Sequence, residues 1–230
     1  MKRLEAPAVV RAGRPRVVGR SVTLRPVMSA QHPLTRRGLL AVAALCMAGF
    51  GGAQAAAPIK TEGETFAGQA TVAGQVLELN GVGLRAVAWF KGYAAGLYLA
   101  SRVRTPQQVL AATGAKRLQM RMLVEVDTEE FIKAFHKGIA RNAPLAVQPA
   151  LVERMARFDS LLRAIGKVKK RDVIDLDWLP GRGLQMTLNG QLRGEPIPGD
   201  DLYAALLLIF IGDKPVDANL KIGLLGGPAA

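Results

Sequence analysis

The sequence has little of what most enzyme chemistry needs. Its one cysteine, Cys46, and one of its two histidines, His32, lie in the first 55 residues. Downstream of Ala55 there is no disulfide, no thiol nucleophile and, with His136 alone, no zinc site of the usual Cys/His kind. The only serines there are Ser101 and Ser160, and neither has the Gly-x-Ser-x-Gly setting of an α/β-hydrolase nucleophile. Gly-x-Gly-x-x-Gly and P-loop patterns are missing as well, so dinucleotide and nucleotide chemistry find no footing. No cofactor or metal is implied.

What is present divides at Ala56. Arg36 and Arg37 precede Gly38–Ala57, a stretch without formal charge whose most apolar part is Leu39–Phe50, and Ala53-Gln54-Ala55 follows as a small-x-small cleavage site. Positive flank, short apolar core and cleavage site are the parts of a secretory signal. Thr35-Arg36-Arg37-Gly38-Leu39-Leu40 also fits a twin-arginine signal without its usual following lysine. The apolar core is shorter than the roughly 20 residues of a membrane span. The expectation is a leader over residues 1–55, with Met28 as a second candidate start, and one exported, periplasmic domain over 56–230.

Removing the leader removes most of the charge argument. Nine of the 31 Lys/Arg and one of the 18 Asp/Glu precede Ala56, so the net charge falls from +13 to about +5. A nucleic-acid partner is therefore not expected. The basic run Lys167-Val168-Lys169-Lys170-Arg171 reads as a solvated loop.

Within the domain, Phe66–Val72 and Gln75–Asn80 read as strands joined at Ala73-Gly74. Asn80-Gly81 is a turn signal before a strand near Leu84–Trp89, and Lys91–Leu99 is a further strand. Thr105-Pro106 starts a short helix through Ala112. Leu118, Met120, Met122, Val124 and Val126 alternate with polar residues, predicting one long strand. Asp127 caps a helix, with Glu130 closing a capping box and Phe131, Ile132, Phe135 and Ile139 as its buried stripe. A second helix over Pro149–Ile165 places Leu151, Val152, Met155, Phe158, Leu162 and Ile165 at helical spacing. Strands at Ile174–Trp178, Leu184–Leu188 and Gln191–Arg193 follow; Asp175 and Asp177 read as alternating exposed acids. Asp200 or Asp201 caps the apolar helix Leu202–Ile211, and Asp217 starts a last short helix. The fold class is α+β, an antiparallel sheet with helices on one face.

Phe90-Lys91-Gly92-Tyr93-Ala94-Ala95-Gly96-Leu97-Tyr98-Leu99 resembles the chalcone isomerase family, whose matching strand ends in Gly-aliphatic-Tyr-Leu. The resemblance continues at Asp201-Leu202-Tyr203-Ala204-Ala205-Leu206 and Ile211-Gly212-Asp213-Lys214-Pro215-Val216, and spans about Phe66–Leu225. It is nearest the bacterial exported branch. It implies an open-faced sandwich, a curved antiparallel sheet with a helix layer and a ligand cleft between them. In the plant enzymes an arginine stabilises the enolate that forms as a phenolate attacks an enone. Related members without that activity hold a fatty-acid carboxylate with the same arginine and a tyrosine.

By that resemblance the arginine is Arg85 and the tyrosine Tyr93. Phe135 and Asn142 keep the spacing of a helical tyrosine and asparagine, and Ile209 replaces a serine or threonine. Two polar positions are thus apolar, while Arg85 and Tyr93 suit a carboxylate. The expected function is binding of a small amphipathic carboxylate such as a fatty acid, with Arg85, Tyr93, Phe135, Asn142 and Ile209 as ligand contacts. An intramolecular-lyase isomerase using Arg85 and Tyr93 is the alternative, and a non-catalytic envelope interaction module the third reading. His136 is expected on the solvent side of its helix.

Overall fold

The computed structural model describes residues 57–87 and 90–228. The leader, its cleavage site and the strand end at Trp89 lie outside the described residues. The chain begins with short strands β1 (Ile59–Thr61), β2 (Glu64–Phe66) and β3 (Gln69–Val72), then the long β4 (Gln75–Val87) and β5 (Phe90–Leu99). Helix α1 (Pro106–Ala111) leads to β6 (Lys116–Met122), β7 (Val126–Asp127), α2 (Thr128–Asn142) and α3 (Gln148–Arg163). Strands β8 (Lys167–Val168), β9 (Val173–Leu179), β10 (Gly183–Leu188) and β11 (Gln191–Leu192) precede α4 (Asp200–Ile211) and α5 (Ala218–Leu224). Seven strands form one antiparallel sheet in the order β11-β10-β9-β6-β5-β4-β3, with β1–β2 and β7–β8 as separate pairs.

Period-two alternation sets the two faces of this sheet. Ala95, Leu97 and Leu99 of β5 and Leu118, Met120 and Met122 of β6 are buried with Phe135, Phe158 and Leu206 of the helices. Helix α4 is apolar nearly all round, as a helix enclosed by other elements must be, and eight of its residues are buried. The opposite face carries a smaller cluster built on Phe66, Leu77, Leu79 and Tyr98.

Several expectations change for identifiable reasons. Asn80-Gly81 is not a turn: β4 runs through it, and the pairing with β5 passes from Leu79 to Gly81, leaving Asn80 as a bulge. The buried Asn80 amide donates to the Leu224 carbonyl at 2.7 Å, and its oxygen accepts the Val103 N–H at 2.7 Å. A turn-forming residue is used here as a clasp. Strand β6 ends at Met122 because its neighbour β9 begins at Val173, the partner of Arg121; Val124 lies outside any ladder, and Val126 pairs instead with Val168 of β8. Glu130 does not close a capping box but pairs with Lys133 at 2.8 Å. Val152, placed in the buried stripe of α3, is 66% exposed. The N-cap of α4 is Gly199, with φ of 108°, and both aspartates lie in the first turn. At the turn between β3 and β4, Ala73 and Gly74 take φ of 49° and 78° as the hairpin requires.

Candidate functional site

The site starts from the alternation in Gly81-Val82-Gly83-Leu84-Arg85. Gly81, Gly83 and Arg85 share the helix-facing side of β4, opposite Leu97, Ala95 and Tyr93 of β5. A methyl group on Gly83 would run into the backbone of Leu220, and one on Gly81 into that of Gly223 and Gly226. The two glycines therefore let α5 lie directly on the strand, which brings its N-cap, Asp217, over Arg85. Asp217 Oδ1 accepts the Leu220 N–H at 3.0 Å, and Oδ2 accepts the Ala86 N–H at 3.3 Å. Arg85 Nη1 donates to the Ala86 carbonyl at 3.0 Å and lies 3.6 Å from Asp217 Oδ2. Both side chains are largely buried, at 24% and 13% exposure. Asp217 was legible only as a helix start; nothing in sequence spacing marked it as the partner of Arg85.

Tyr93 is the cross-strand neighbour of Arg85. Burial pushes its phenol well above the ordinary value; the positive charge of Arg85 opposes this and the negative charge of Asp217 adds to it. Tyr93 is therefore a neutral hydroxyl that can donate a hydrogen bond at any ordinary pH.

Between the sheet and helices α2, α3 and α4 lies a cavity of about 70 Å³. Tyr93, Phe131, Phe135, Ile209 and Val216 are among its lining residues, and Tyr93 is the only lining residue whose side chain carries a hydroxyl, amide or charge. Ile209 reaches in because α2 and α4 cross closely at Gly138, where an added Cβ would sit 2.7 Å from Ile209 Cγ2. Phe135 packs on Phe158 with ring centroids 4.9 Å apart. The volume is about half that of an engineered cavity of roughly 150 Å³ that takes a benzene. Acceptance of a longer molecule requires the Phe131, Phe135 or Ile209 side chains to move.

Three of the five expected contacts, Tyr93, Phe135 and Ile209, thus line one cavity. Arg85 stands behind Tyr93 and is turned to Asp217 rather than into the lining. Asn142 stands apart. Its amide nitrogen donates to the Gly138 and Lys214 carbonyls at 3.0 and 2.9 Å, and its oxygen accepts the Lys214 N–H at 2.9 Å. Its hydrogen-bonding groups are occupied in holding the loop after α4 against the end of α2. Asn142 is thus not among the lining residues of this cavity.

The expectation for the acids of β9 is corrected. Asp175 and Asp177 are buried rather than exposed, on the face away from the helices. Arg117 grips Asp177 through two hydrogen bonds of 2.7 Å and lies 3.7 Å from Asp175, which also accepts from Gln119 at 2.8 Å. Burial pushes the Asp177 carboxyl up, the Arg117 fork opposes this, and the Asp175 charge adds to it. His136 is half-exposed and meets the buried Asp159 of α3 at 2.8 Å, a partly buried pairing between helices. Among the described residues no group of His, Cys, Asp and Glu is placed to hold a metal, and no helix is long and apolar enough to cross a membrane.

A family model described as chalcone isomerase-like matches residues 58–226. The chain belongs to the chalcone isomerase-like family. The match extends over nearly all of the described residues and includes the strand, helix and loop motifs that carried the resemblance. Among solved structures the chain is similar to a fatty-acid binding protein of Arabidopsis thaliana, with 19% identity and a TM-score of 0.58. The alignment covers 73% of this chain and 95% of that one, and at this identity it shows the shared fold. No curated protein sequence matches. The family fold is thus the open-faced arrangement expected, with a curled antiparallel sheet and its helices on one side.

Proposed function

We propose that this chalcone isomerase-like protein binds a small amphipathic carboxylate, such as a fatty acid, in the cavity under α2 and α4. The observation that carries the reading is the adjacency of Tyr93 and Arg85. A neutral hydroxyl faces an otherwise apolar cavity, and a guanidinium sits one strand behind it. An incoming carboxylate takes the Tyr93 hydrogen bond and draws Arg85 from Asp217, forming a charge-assisted contact away from water. The apolar tail displaces the side chains that fill the cavity. Phe135 and Ile209 offer no hydroxyl to organise a reacting ketone, which favours binding over isomerisation. The similarity in fold to a fatty-acid binding protein is in keeping with this reading.

The small volume supports a second reading, a non-catalytic envelope interaction module whose cleft stays filled. Calorimetry with octanoate, decanoate and dodecanoate separates the two. Binding that falls at least about tenfold in Arg85→Ala, the scale of a lost charged hydrogen bond, supports the carboxylate site. Absence of binding by all three acids, or equal affinity in the variant, overturns it.

We also propose export to the periplasm after cleavage near Ala55, on the strength of the Arg36-Arg37 flank, the apolar Leu39–Phe50 core and Ala53-Gln54-Ala55. The intact mass of protein recovered from the periplasm tests this; a chain that retains Leu40 contradicts it.

A further inference from the structure

A second opening lies on the same face of the sheet, outside the cavity described above. It is a cleft of about 580 Å³ between the loop after α1, the β9–β10 turn and the first turns of α4. Its size falls within the roughly 300–1,000 Å³ of small-molecule sites. Lys116, Trp178, Pro180, Tyr203, Leu207 and Asp200 are among its lining residues. Lys116 and Trp178 are direct partners across β6 and β9, so both side chains leave the sheet on its helix-facing side.

Lys116 is the unusual member. It is 8% exposed, and among the described residues its ammonium has neither a hydrogen-bond acceptor nor an ion-pair partner. Its stem is buried while the ammonium opens into the cleft, so an anion entering there meets a cation with no competing protein partner. Burial lowers the pKa of the amine below its ordinary value, with Asp200 acting the other way. Around it the walls are flat or aliphatic: the Trp178 and Tyr203 rings stand with centroids 5.9 Å apart, and Leu207 and Pro180 complete the sides. The Tyr203 hydroxyl is engaged with the Leu176 carbonyl at 3.2 Å, so it presents its ring rather than a donor.

The rim limits the charge that fits. Asp201 is held by Arg154 at 2.8 Å, and Asp200 is exposed to solvent. One ammonium therefore faces one unpaired, solvated carboxylate at the edge. A single negative charge is matched by Lys116, the only cationic side chain among the lining residues, whereas the second charge of a dianion finds no cation there and faces Asp200. We propose that this cleft is a second ligand site, selective for a monocarboxylate with an aryl or apolar body, with Lys116 as the counter-ion and Trp178 as the stacking wall. It does not depend on the Arg85–Tyr93 reading.

The full chain carrying Trp89→Phe keeps Trp178 as its sole tryptophan, which makes its emission a local reporter. Titration with 4-phenylbutyrate, and in parallel with the neutral 4-phenylbutan-1-ol, is expected to shift Trp178 emission with at least about tenfold tighter binding of the acid. Lys116→Met in the same background removes that preference, and Lys116→Arg retains it. If Lys116→Met fails to fold, the acid and alcohol titrations of the Trp89→Phe chain still decide the matter. Equal affinity for acid and alcohol, an unchanged acid affinity in a folded Lys116→Met chain, or no response of Trp178 to the acid overturns the proposal.

Discussion

Asp217 holds Arg85 and caps α5 with the same carboxylate, Oδ2 lying 3.6 Å from Arg85 Nη1 while Oδ1 accepts the Leu220 N–H at 3.0 Å. The two roles can be separated chemically. Asparagine caps a helix about as well as aspartate but carries no charge for Arg85. Asp217→Asn is expected to keep the cap, to lose the 3.3 Å Ala86 contact at a cost of about 1 kcal/mol or less, and to tighten decanoate binding by roughly two- to fivefold, the scale of one weak ion pair. Asp217→Ala loses the cap and costs about 1 kcal/mol. Calorimetry and urea denaturation on both variants read the two effects independently; weaker decanoate binding by the asparagine variant would contradict the proposed release of Arg85.

The seat of α5 on β4 gives a stability prediction. Gly83→Ala forces a methyl group against the Leu220 backbone and should cost about 1–3 kcal/mol as overpacking. Asn80→Ala leaves the Leu224 carbonyl and the Val103 N–H without their partner and should cost about 1–3 kcal/mol. Urea midpoints of the two variants provide the check, and a wild-type midpoint in either would show that α5 does not depend on that contact.

Arg117 and Asp177 form a pair with side chains only 17% and 3% exposed. Removing the cation alone, as in Arg117→Met, leaves a buried carboxylate and should cost about 3–5 kcal/mol at pH 8. The loss is smaller near pH 4. Without Arg117, the already raised Asp177 pKa rises further, so the native state holds its proton where the unfolded state does not. Stability from such a group is present at low pH and lost as pH rises through the raised value. Arg117→Met with Asp177→Leu should recover most of the loss. Denaturation curves of the three variants at both pH values test the argument.

Lys116 gives the opposite slope. Its native pKa is lowered by burial, so in the unfolded chain the amine holds its proton to higher pH. Stability should rise as pH climbs from the lowered value towards 10.5, and the full cost of the buried charge stands below that window. Lys116→Met should abolish that slope relative to the parent and stabilise the protein at pH 7. Parallel stability curves for the two proteins would show that the ammonium is not penalised in the fold.

Much of the architecture was legible because its cause is local. The alternation in Leu118-Gln119-Met120-Arg121-Met122, the Thr105-Pro106 start and the Ala73-Gly74 turn are decided by residues close in sequence, and the structure follows them. Asn80-Gly81 misleads because its turn chemistry is overridden by two distant partners, Leu224 and Val103. Asp175 and Asp177 alternate as exposed acids do, and only the neighbouring strand, with Arg117 and Gln119, shows why they can be buried. In the candidate site, the resemblance led to Tyr93, Phe135 and Ile209, which share a cavity. The Asp217 contact to Arg85 and the isolation of Lys116 depend on the packing of α5 and α4, and no spacing along the chain encodes them.

Val216 lines the cavity, and the next residue along the chain is the one that holds Arg85. The peptide bond between them is a mechanical link between volume and charge. Under the proposed carboxylate binding, a guest that pushed Val216 outward would also draw Asp217 from the guanidinium. Residues 215–217 are held against such a movement by the Asn142 clasp on Lys214 and by the Val216 N–H, which donates to the Ile209 carbonyl at 2.8 Å. Selectivity in such an arrangement resides less in the shape of the cavity than in the stiffness of three residues beside it.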